Sequence, residues 1–118
     1  MFTAYTVVAS LLSAILFLSA YTKMIRFERT TATLTKVGVA ESQFAALAAC
    51  EMAGGLGLLA GLSVAPLGIA AAIGVSLYFA GAVAAHVRIG DWNVDGFAPP
   101  VIILVMAVTA LALRIQSA

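Results

Sequence analysis

Long apolar stretches separated by shorter polar segments make up the whole chain. A helix that spans a membrane needs roughly 20 mostly apolar residues, and four stretches come close to that length, at about residues 4–22, 43–62, 66–87 and 99–113. The last stretch is short, so we expect flanking residues or local thinning of the bilayer to complete it. The pattern predicts an all-α fold, a transmembrane four-helix bundle that forms a single domain.

The polar segment between the first two predicted helices has a mixed character. Residues 23–42 combine Lys, Arg and Glu with scattered apolar residues, which predicts a short amphipathic helix lying on the membrane surface. Gly38 suits the end of that helix. The second polar segment, residues 88–98, contains the turn signal Asp95-Gly96, and its Trp92 suits a membrane interface. Both segments lie on the same side of a four-helix bundle.

Basic residues are concentrated in these two segments. Of the six Lys and Arg residues in the chain, only Arg114 lies toward the other side of the membrane, where it closes the fourth predicted helix. Cytoplasmic loops of membrane proteins carry the excess of Lys and Arg. We therefore expect a multi-pass protein of a bacterial inner membrane, with residues 23–42 and 88–98 in the cytoplasm and both termini outside.

Composition supports a membrane protein and removes several other classes. Hydrophobic residues make up 64% of the chain and charged residues 9%, against about 25% charged residues in an ordinary soluble domain. The lipid bilayer is therefore the expected surrounding. A net charge of +1 gives no footprint for nucleic acid. The single Cys50 excludes an internal disulfide, and the single His86 argues against a His-rich metal site.

Small residues recur at every fourth position in the second and third predicted helices. These two small-residue stripes are Ala45, Ala49, Ala53, Gly57 and Gly61, and Gly68, Ala72, Ser76, Ala80 and Ala84. Helices in lipid associate through close backbone approach, which small residues permit. The stripes therefore favour a tight contact between the two helices. A contact with a second copy of the chain, which would make a homo-oligomer, is the alternative.

Glu51 is a charged residue in the middle of an apolar stretch. A carboxylate inside a membrane is costly, and it usually faces the bundle interior with a partner. Helical periodicity turns Glu51 away from the small-residue stripe of its own helix. Gly54 and Gly55 lie on its face, and we expect these two glycines to leave room for a partner, a water molecule or a ligand.

Four other side chains are candidates to share a pocket with Glu51. In an antiparallel hairpin, Tyr78 lies at a similar depth and can donate a hydrogen bond to the carboxyl group. His86 lies two turns nearer the cytoplasmic end, on much the same face as Tyr78. Lys23 ends the first predicted helix, with Ser19 one turn before it. The sequence therefore predicts a pocket, open toward the cytoplasmic side, that contains all five residues.

A purely structural interpretation of each residue stays open. Glu51 can be a protonated or paired carboxyl group that only fastens helices together. Lys23 can extend its charged end to the interface along its apolar stem. His86 can be an interfacial residue at a helix end, and Tyr78 can serve packing alone. Cys50, without a second cysteine, is expected to be an inert small hydrophobic residue.

Several motifs resemble the DoxX-like family. Ser-Ala-Tyr-Thr-Lys-Met at residues 19–24 resembles the Ser-Gly-x-x-Lys-Leu end of the first helix in that family. Cys-Glu-Met-Ala-Gly-Gly at residues 50–55 resembles its Glu-x-x-Gly stretch in the second helix. Gly-Val-Ala at residues 38–40 and Arg-Ile-Gly-Asp at residues 88–91 fit the family's loops. The resemblance covers nearly the whole chain and implies a compact four-helix membrane bundle in which Lys23 and Glu51 form the functional pair.

The resemblance also implies a first hypothesis about function. The family takes its name from the small membrane subunit of a thiosulfate:quinone oxidoreductase, and other relatives look like partners of oxidative-stress complexes or assembly factors. We therefore expect an accessory subunit of a membrane redox or stress-response system. It would bind a lipophilic small molecule such as a quinone between its helices and work beside a redox partner protein.

Two further hypotheses stay open. The chain could be a small membrane enzyme, such as an isomerase or an epoxide-opening enzyme. Glu51 would then be the general acid or base, while Tyr78, Lys23 or His86 would polarise an oxygen of the substrate. Alternatively, the protein could be a membrane scaffold or assembly factor that uses residues 23–42 as its contact surface.

Overall fold

Four helices arranged in an up-and-down bundle form the structure. The computed structural model describes residues 2–25, 31–32, 34–35, 38, 41–90 and 94–117, with the side chains of residues 41 and 94–97 left aside. The helices are α1 (Phe2–Met24), α2 (Phe44–Ala60), α3 (Ala65–Arg88) and α4 (Val94–Ser117), and a 3-10 turn at Glu41–Gln43 precedes α2. The described residues contain no strand. The predicted all-α four-helix bundle is confirmed.

Among the described residues, three helical segments are long and apolar enough to cross a membrane: α1, α3 and the part of α4 from Ala98 to Ser117. Helix α2 is apolar but has 17 residues, so it is shorter than the predicted residues 43–62. Helix α4 is longer than the predicted residues 99–113, since it extends to Ser117 and begins before the two prolines. Pro favours the first helical position, which is why the sequence alone places that start too late.

Each helix packs against two others. Helix α1 lies between α2 and α4, and α3 also contacts both α2 and α4. The last turn of α1 and the last turn of α3 therefore lie at one end of the bundle, which we call the Lys23 end. The start of α1, the turn between α2 and α3 and the last turn of α4 lie at the other, the Arg114 end. The core between the two ends includes Leu12, Leu16, Leu58, Phe79 and Ala107.

The backbones of α2 and α3 come into contact at the Arg114 end of their hairpin. A Cβ atom added at Gly61 would overlap the backbone of Gly68, and one added at Gly57 would lie 2.7 Å from the Cβ of Ala71. Nearer the Lys23 end, five small residues of the stripes are exposed on the outside of the bundle: Ala45, Ala49 and Ala53 in α2, Ala80 and Ala84 in α3. Ala72 is instead buried in the core and Ser76 is half-buried. The predicted contact between the stripes thus forms over part of their length, and the two helices separate beyond it.

Part of each polar segment belongs to the described residues. Residues 31–32 and 34–35 are helical, and Gly38 has a φ of 90°. The Gly38 amide donates to the Thr35 carbonyl at 3.1 Å, as expected of a glycine that follows a helix. The rest of the predicted amphipathic helix, and the interfacial position of Trp92, lie outside the described residues.

Candidate functional site

A buried ion pair joins α1 to α2. Lys23 is 7% exposed and Glu51 is 2% exposed, and the Lys23 ammonium contacts Glu51 Oε1. The same ammonium donates to Ser19 Oγ at 2.9 Å. Extension of Lys23 to the interface, which was one expectation for this residue, is therefore wrong. Two opposite charges at this depth balance each other, which lowers the cost of burying either one.

Tyr78 brings α3 to the same carboxylate. Its hydroxyl donates to Glu51 Oε1 at 3.3 Å, which is the contact that depth and periodicity predict. Three helices thus meet at one oxygen atom. The other oxygen, Oε2, is buried and has no hydrogen-bond partner among the described residues. Buried polar atoms are nearly always paired, so an unpaired acceptor at this place needs an explanation.

A groove of about 710 Å³ runs between α2 and α3 beside these groups. It exists because the two helices separate beyond their contact near Gly61. Glu51 and Tyr78 supply its polar wall, while Leu16, Val75 and Phe79 are among its apolar lining residues. Helical residues of the groove wall, such as Ala53, Gly74 and Leu77, are exposed on the outside of the bundle. The groove is therefore open along the outer surface of α2 and α3.

The space beside the Glu51 carboxylate differs from the prediction. Gly54 lines the groove, but a Cβ atom placed on it would lie 2.6 Å from Val75 Cγ2. Gly55 is buried against the ring of Phe17, and its carbonyl accepts a hydrogen bond from Ser13 at 3.0 Å. Gly55 therefore leaves no room for a ligand. The open space lies at Gly74, where an added Cβ would have no neighbour within 4 Å.

The five residues of the predicted pocket are only partly brought together. Lys23, Ser19, Glu51 and Tyr78 form one chain of contacts. His86 is buried at the Lys23 end, but it lies eight residues after Tyr78 on α3, or about 12 Å along a helix axis. It is absent from the groove lining. Ser19 reaches the site only through Lys23.

Sequence reasoning missed a second buried basic residue, at the Arg114 end. Arg114 is 6% exposed, and its Nε donates to the Gly61 carbonyl at 2.8 Å. Its guanidinium lies 5.1 Å from the ring centre of Phe2 and 5.5 Å from that of Tyr5. The last carbonyls of a helix lack partners within the helix, so Arg114 supplies a donor at the end of α2. The sequence contains one signal for this contact: Arg114 near the C-terminus is expected at the same membrane depth as Phe2 and Tyr5 near the N-terminus.

Comparison with known proteins settles the family. The model of the DoxX-like family matches residues 7–110. The chain belongs to the DoxX-like family. The match confirms the resemblance in the sequence motifs, and it spans both members of the ion pair, Tyr78 and the whole groove of this DoxX-like protein. No curated protein and no solved structure matches the chain.

Proposed function

We propose that this DoxX-like membrane protein binds a lipophilic small molecule, quinone-like in size, in the groove between α2 and α3. The observation that carries the proposal is the groove itself, since its volume of about 710 Å³ is typical of sites for small molecules. Such sites are mostly apolar and have a few polar groups that orient the ligand. Glu51 and Tyr78 are the polar groups of this groove.

The ion pair supports the proposal because it fixes the polar wall. The Lys23 ammonium and the Tyr78 hydroxyl hold Glu51 Oε1 from two different helices, so the carboxylate has little freedom to rotate. A preorganised polar group loses less entropy when a ligand binds. An apolar tail would lie along the small residues Ala70, Ala71 and Gly74, which also line the groove.

The resemblance to the DoxX-like family supports an accessory role in a membrane redox or stress-response system, and the few redox-active side chains are compatible with it. The chain contains one cysteine and one histidine, so a thiol relay within one subunit has no second thiol. A bound quinone would therefore take its electrons from a redox partner protein, and a bound hydroquinone would pass its electrons to one. In this proposal the DoxX-like protein holds the lipophile and the partner performs the electron transfer.

The proposed location is a bacterial inner membrane, with the Lys23 end in the cytoplasm. Lys23 is neutralised by Glu51 and Arg114 is buried, so neither contributes a free charge at the membrane surface. The other basic residues of the chain belong to residues 23–42 and 88–98, and Arg88 is exposed. This arrangement supports a cytoplasmic position of both segments.

The contact between Tyr78 and Glu51 favours an enzyme as the second candidate function. A phenol and a carboxylate at the wall of one groove are a proton donor and a proton acceptor within reach of one substrate. An isomerase or an epoxide-opening enzyme needs such a pair. Under this alternative, turnover of an apolar epoxide or enone would disappear in a Glu51→Gln variant.

A pair of matched glycine variants tests ligand binding. Gly74 and Gly81 are both exposed in α3, and a Cβ at either position meets nothing within 4 Å, but only Gly74 lines the groove. Gly74→Leu should fill the groove, and Gly81→Leu should leave it open. The full chain, extracted with a mild detergent, is analysed by native mass spectrometry. We expect a bound lipophile in the wild type and in Gly81→Leu, and its loss in Gly74→Leu. Equal retention in both variants, or no lipophile in the wild type, would contradict the proposal.

A further inference from the structure

Glu51 uses only one of its two carboxylate oxygens within the described part of the bundle. Oε1 contacts the Lys23 ammonium and accepts a hydrogen bond from Tyr78. Oε2 is buried without a hydrogen-bond partner, in a residue that lines the groove. A buried acceptor without a donor is costly, and a bound molecule that supplies the donor recovers that cost.

We propose that the groove takes a neutral lipophile whose head group donates a hydrogen bond to Glu51 Oε2. This class comprises long-chain alcohols, phenols and, among quinone-like molecules, the hydroquinone form. The inference rests on the proposed function and adds to it the chemical class of the ligand. It specifies the polar head group of the ligand, whereas the shape of the groove determines which apolar tails fit.

Hydrogen bonding to Glu51 Oε2 favours binding of the hydroquinone over the quinone. A carboxylate oxygen has lone pairs and no hydrogen atom to donate, and the same is true of a quinone carbonyl. Two acceptors cannot pair with each other, whereas a hydroxyl group donates directly to Oε2. A fatty-acid carboxylate is disfavoured more strongly, because it would bring a second negative charge next to Glu51 inside the membrane.

The charge balance of the site favours a ligand with a hydroxyl head group over one with an ammonium head group. Lys23 already neutralises Glu51, so the site holds one positive and one negative charge. A ligand with an ammonium head would add a positive charge to a buried pair that is already balanced, and an uncompensated buried charge is strongly unfavourable. A neutral hydroxyl donor satisfies Oε2 and keeps the balance.

This preference has a consequence if the ligand is quinone-like. A protein that binds one of two interconverting forms more tightly shifts their equilibrium by the ratio of the two affinities. The groove would therefore stabilise the reduced form of its ligand, and a bound hydroquinone would be a weaker reductant than a free one. The partner protein would then encounter a molecule held in its reduced state.

The test uses two probes that differ only in the donor, para-nonylphenol and its methyl ether. Binding is measured to the full-length protein in nanodiscs, and empty nanodiscs correct for partition into lipid. A hydrogen bond to a charged group makes us expect the phenol to bind at least about tenfold more tightly than the ether. Gly74→Leu should abolish the binding of both probes, and Gly81→Leu should leave both unchanged.

A double variant assigns the preference to Glu51. Glu51→Leu alone leaves the Lys23 charge without its counterion and risks misfolding, so it is combined with Lys23→Met, which keeps the site neutral. The side chain introduced by Glu51→Leu has no hydrogen-bond acceptor, so the preference for the phenol should fall to near one. A double variant that binds the phenol with the wild-type preference would overturn the assignment to Oε2.

The outcomes for this inference and for the proposed function differ. Equal affinities for phenol and ether, with both lost in Gly74→Leu, would overturn the donor preference while the groove remained a lipophile site. Affinities no greater than those of empty nanodiscs for both probes would overturn the inference together with the proposed function. A preference for the ether would also overturn the inference.

Discussion

Lys23 in the last turn of α1 and Glu51 in α2 form a buried ion pair beside the groove. A single substitution that removes either charge leaves the other one buried without its counterion. We expect Glu51→Gln to lower the free energy of unfolding by about 3–5 kcal/mol. Chemical denaturation of the protein in detergent micelles, followed by circular dichroism, measures this loss.

The control for this prediction is the double variant Lys23→Met with Glu51→Gln. It removes both charges together. Its free energy of unfolding should therefore fall by clearly less than the sum of the decreases in the two single variants. Such non-additivity is the signature of two residues that interact directly. Strictly additive losses would show that the two side chains do not stabilise each other.

The close approach of Gly61 and Gly68 predicts that adding a single methyl group at position 61 lowers the stability of the protein. Because the Cβ of an alanine at position 61 would overlap the α3 backbone, the two helices would have to move apart. We expect Gly61→Ala to cost about 1–3 kcal/mol, the range for overpacking. Thermal unfolding in detergent, monitored by the loss of helical signal, provides the measurement.

Gly81→Ala is the matched control for that substitution. A Cβ at position 81 meets no atom within 4 Å, and alanine favours a helix over glycine by about 1 kcal/mol. Its stability should therefore stay the same or rise slightly. If Gly61→Ala and Gly81→Ala had the same effect, the contact near the turn would not be tight.

The contacts of Arg114 predict that replacement by Met and replacement by Lys lower the stability of the protein by different amounts. Its Nε donates to the Gly61 carbonyl, and its planar group lies beside the rings of Phe2 and Tyr5. Arg114→Met should cost about 1–3 kcal/mol, because it leaves that carbonyl without its donor. Arg114→Lys should recover only part of this loss, since an ammonium lacks the planar surface.

Gln116 offers a control for Arg114 in the same turn. It is exposed, so Gln116→Met should change stability by no more than about 0.5 kcal/mol. Unfolding in denaturant compares the three variants under one condition. Full recovery in Arg114→Lys would reduce the role of this residue to its charge alone.

Cys50 reports on the groove, because it is exposed, lines the groove and is the chain's single cysteine. A lipophilic maleimide should label the protein in membranes once. Gly74→Leu should slow the labelling several-fold by obstructing access, whereas Gly81→Leu should not. Mass spectrometry of samples quenched at successive times gives the rates, and equal rates in the two variants would place Cys50 outside the obstructed space.

The sequence predicts the contact between Glu51 and Tyr78 for simple reasons. The helical period gives the face of each residue, and an antiparallel hairpin gives their common depth in the membrane. The partnership with Lys23 follows from the family motifs. All three residues lie near the middle or the end of apolar helices, where few other polar side chains are available to pair with a buried charge.

The rest of the site depends on packing that no single helix determines. Phe17 from α1 fills the space beside Gly55, and periodicity within α2 contains no information about that side chain. Arg114 binds a backbone carbonyl, a partner that every residue carries and that no motif marks. The length over which the small-residue stripes touch depends on the crossing of two helices, which the spacing of glycines does not fix.

The separation of α2 and α3 beyond Gly61 and Gly68 determines how a molecule arrives at the site. The resulting opening faces the surrounding acyl chains, because its rim residues lie on the outside of the bundle. A lipophile that binds as proposed would reach Glu51 by diffusing in the plane of the membrane, without passing through water. Its concentration in the lipid, rather than in the aqueous phase, would then govern occupancy.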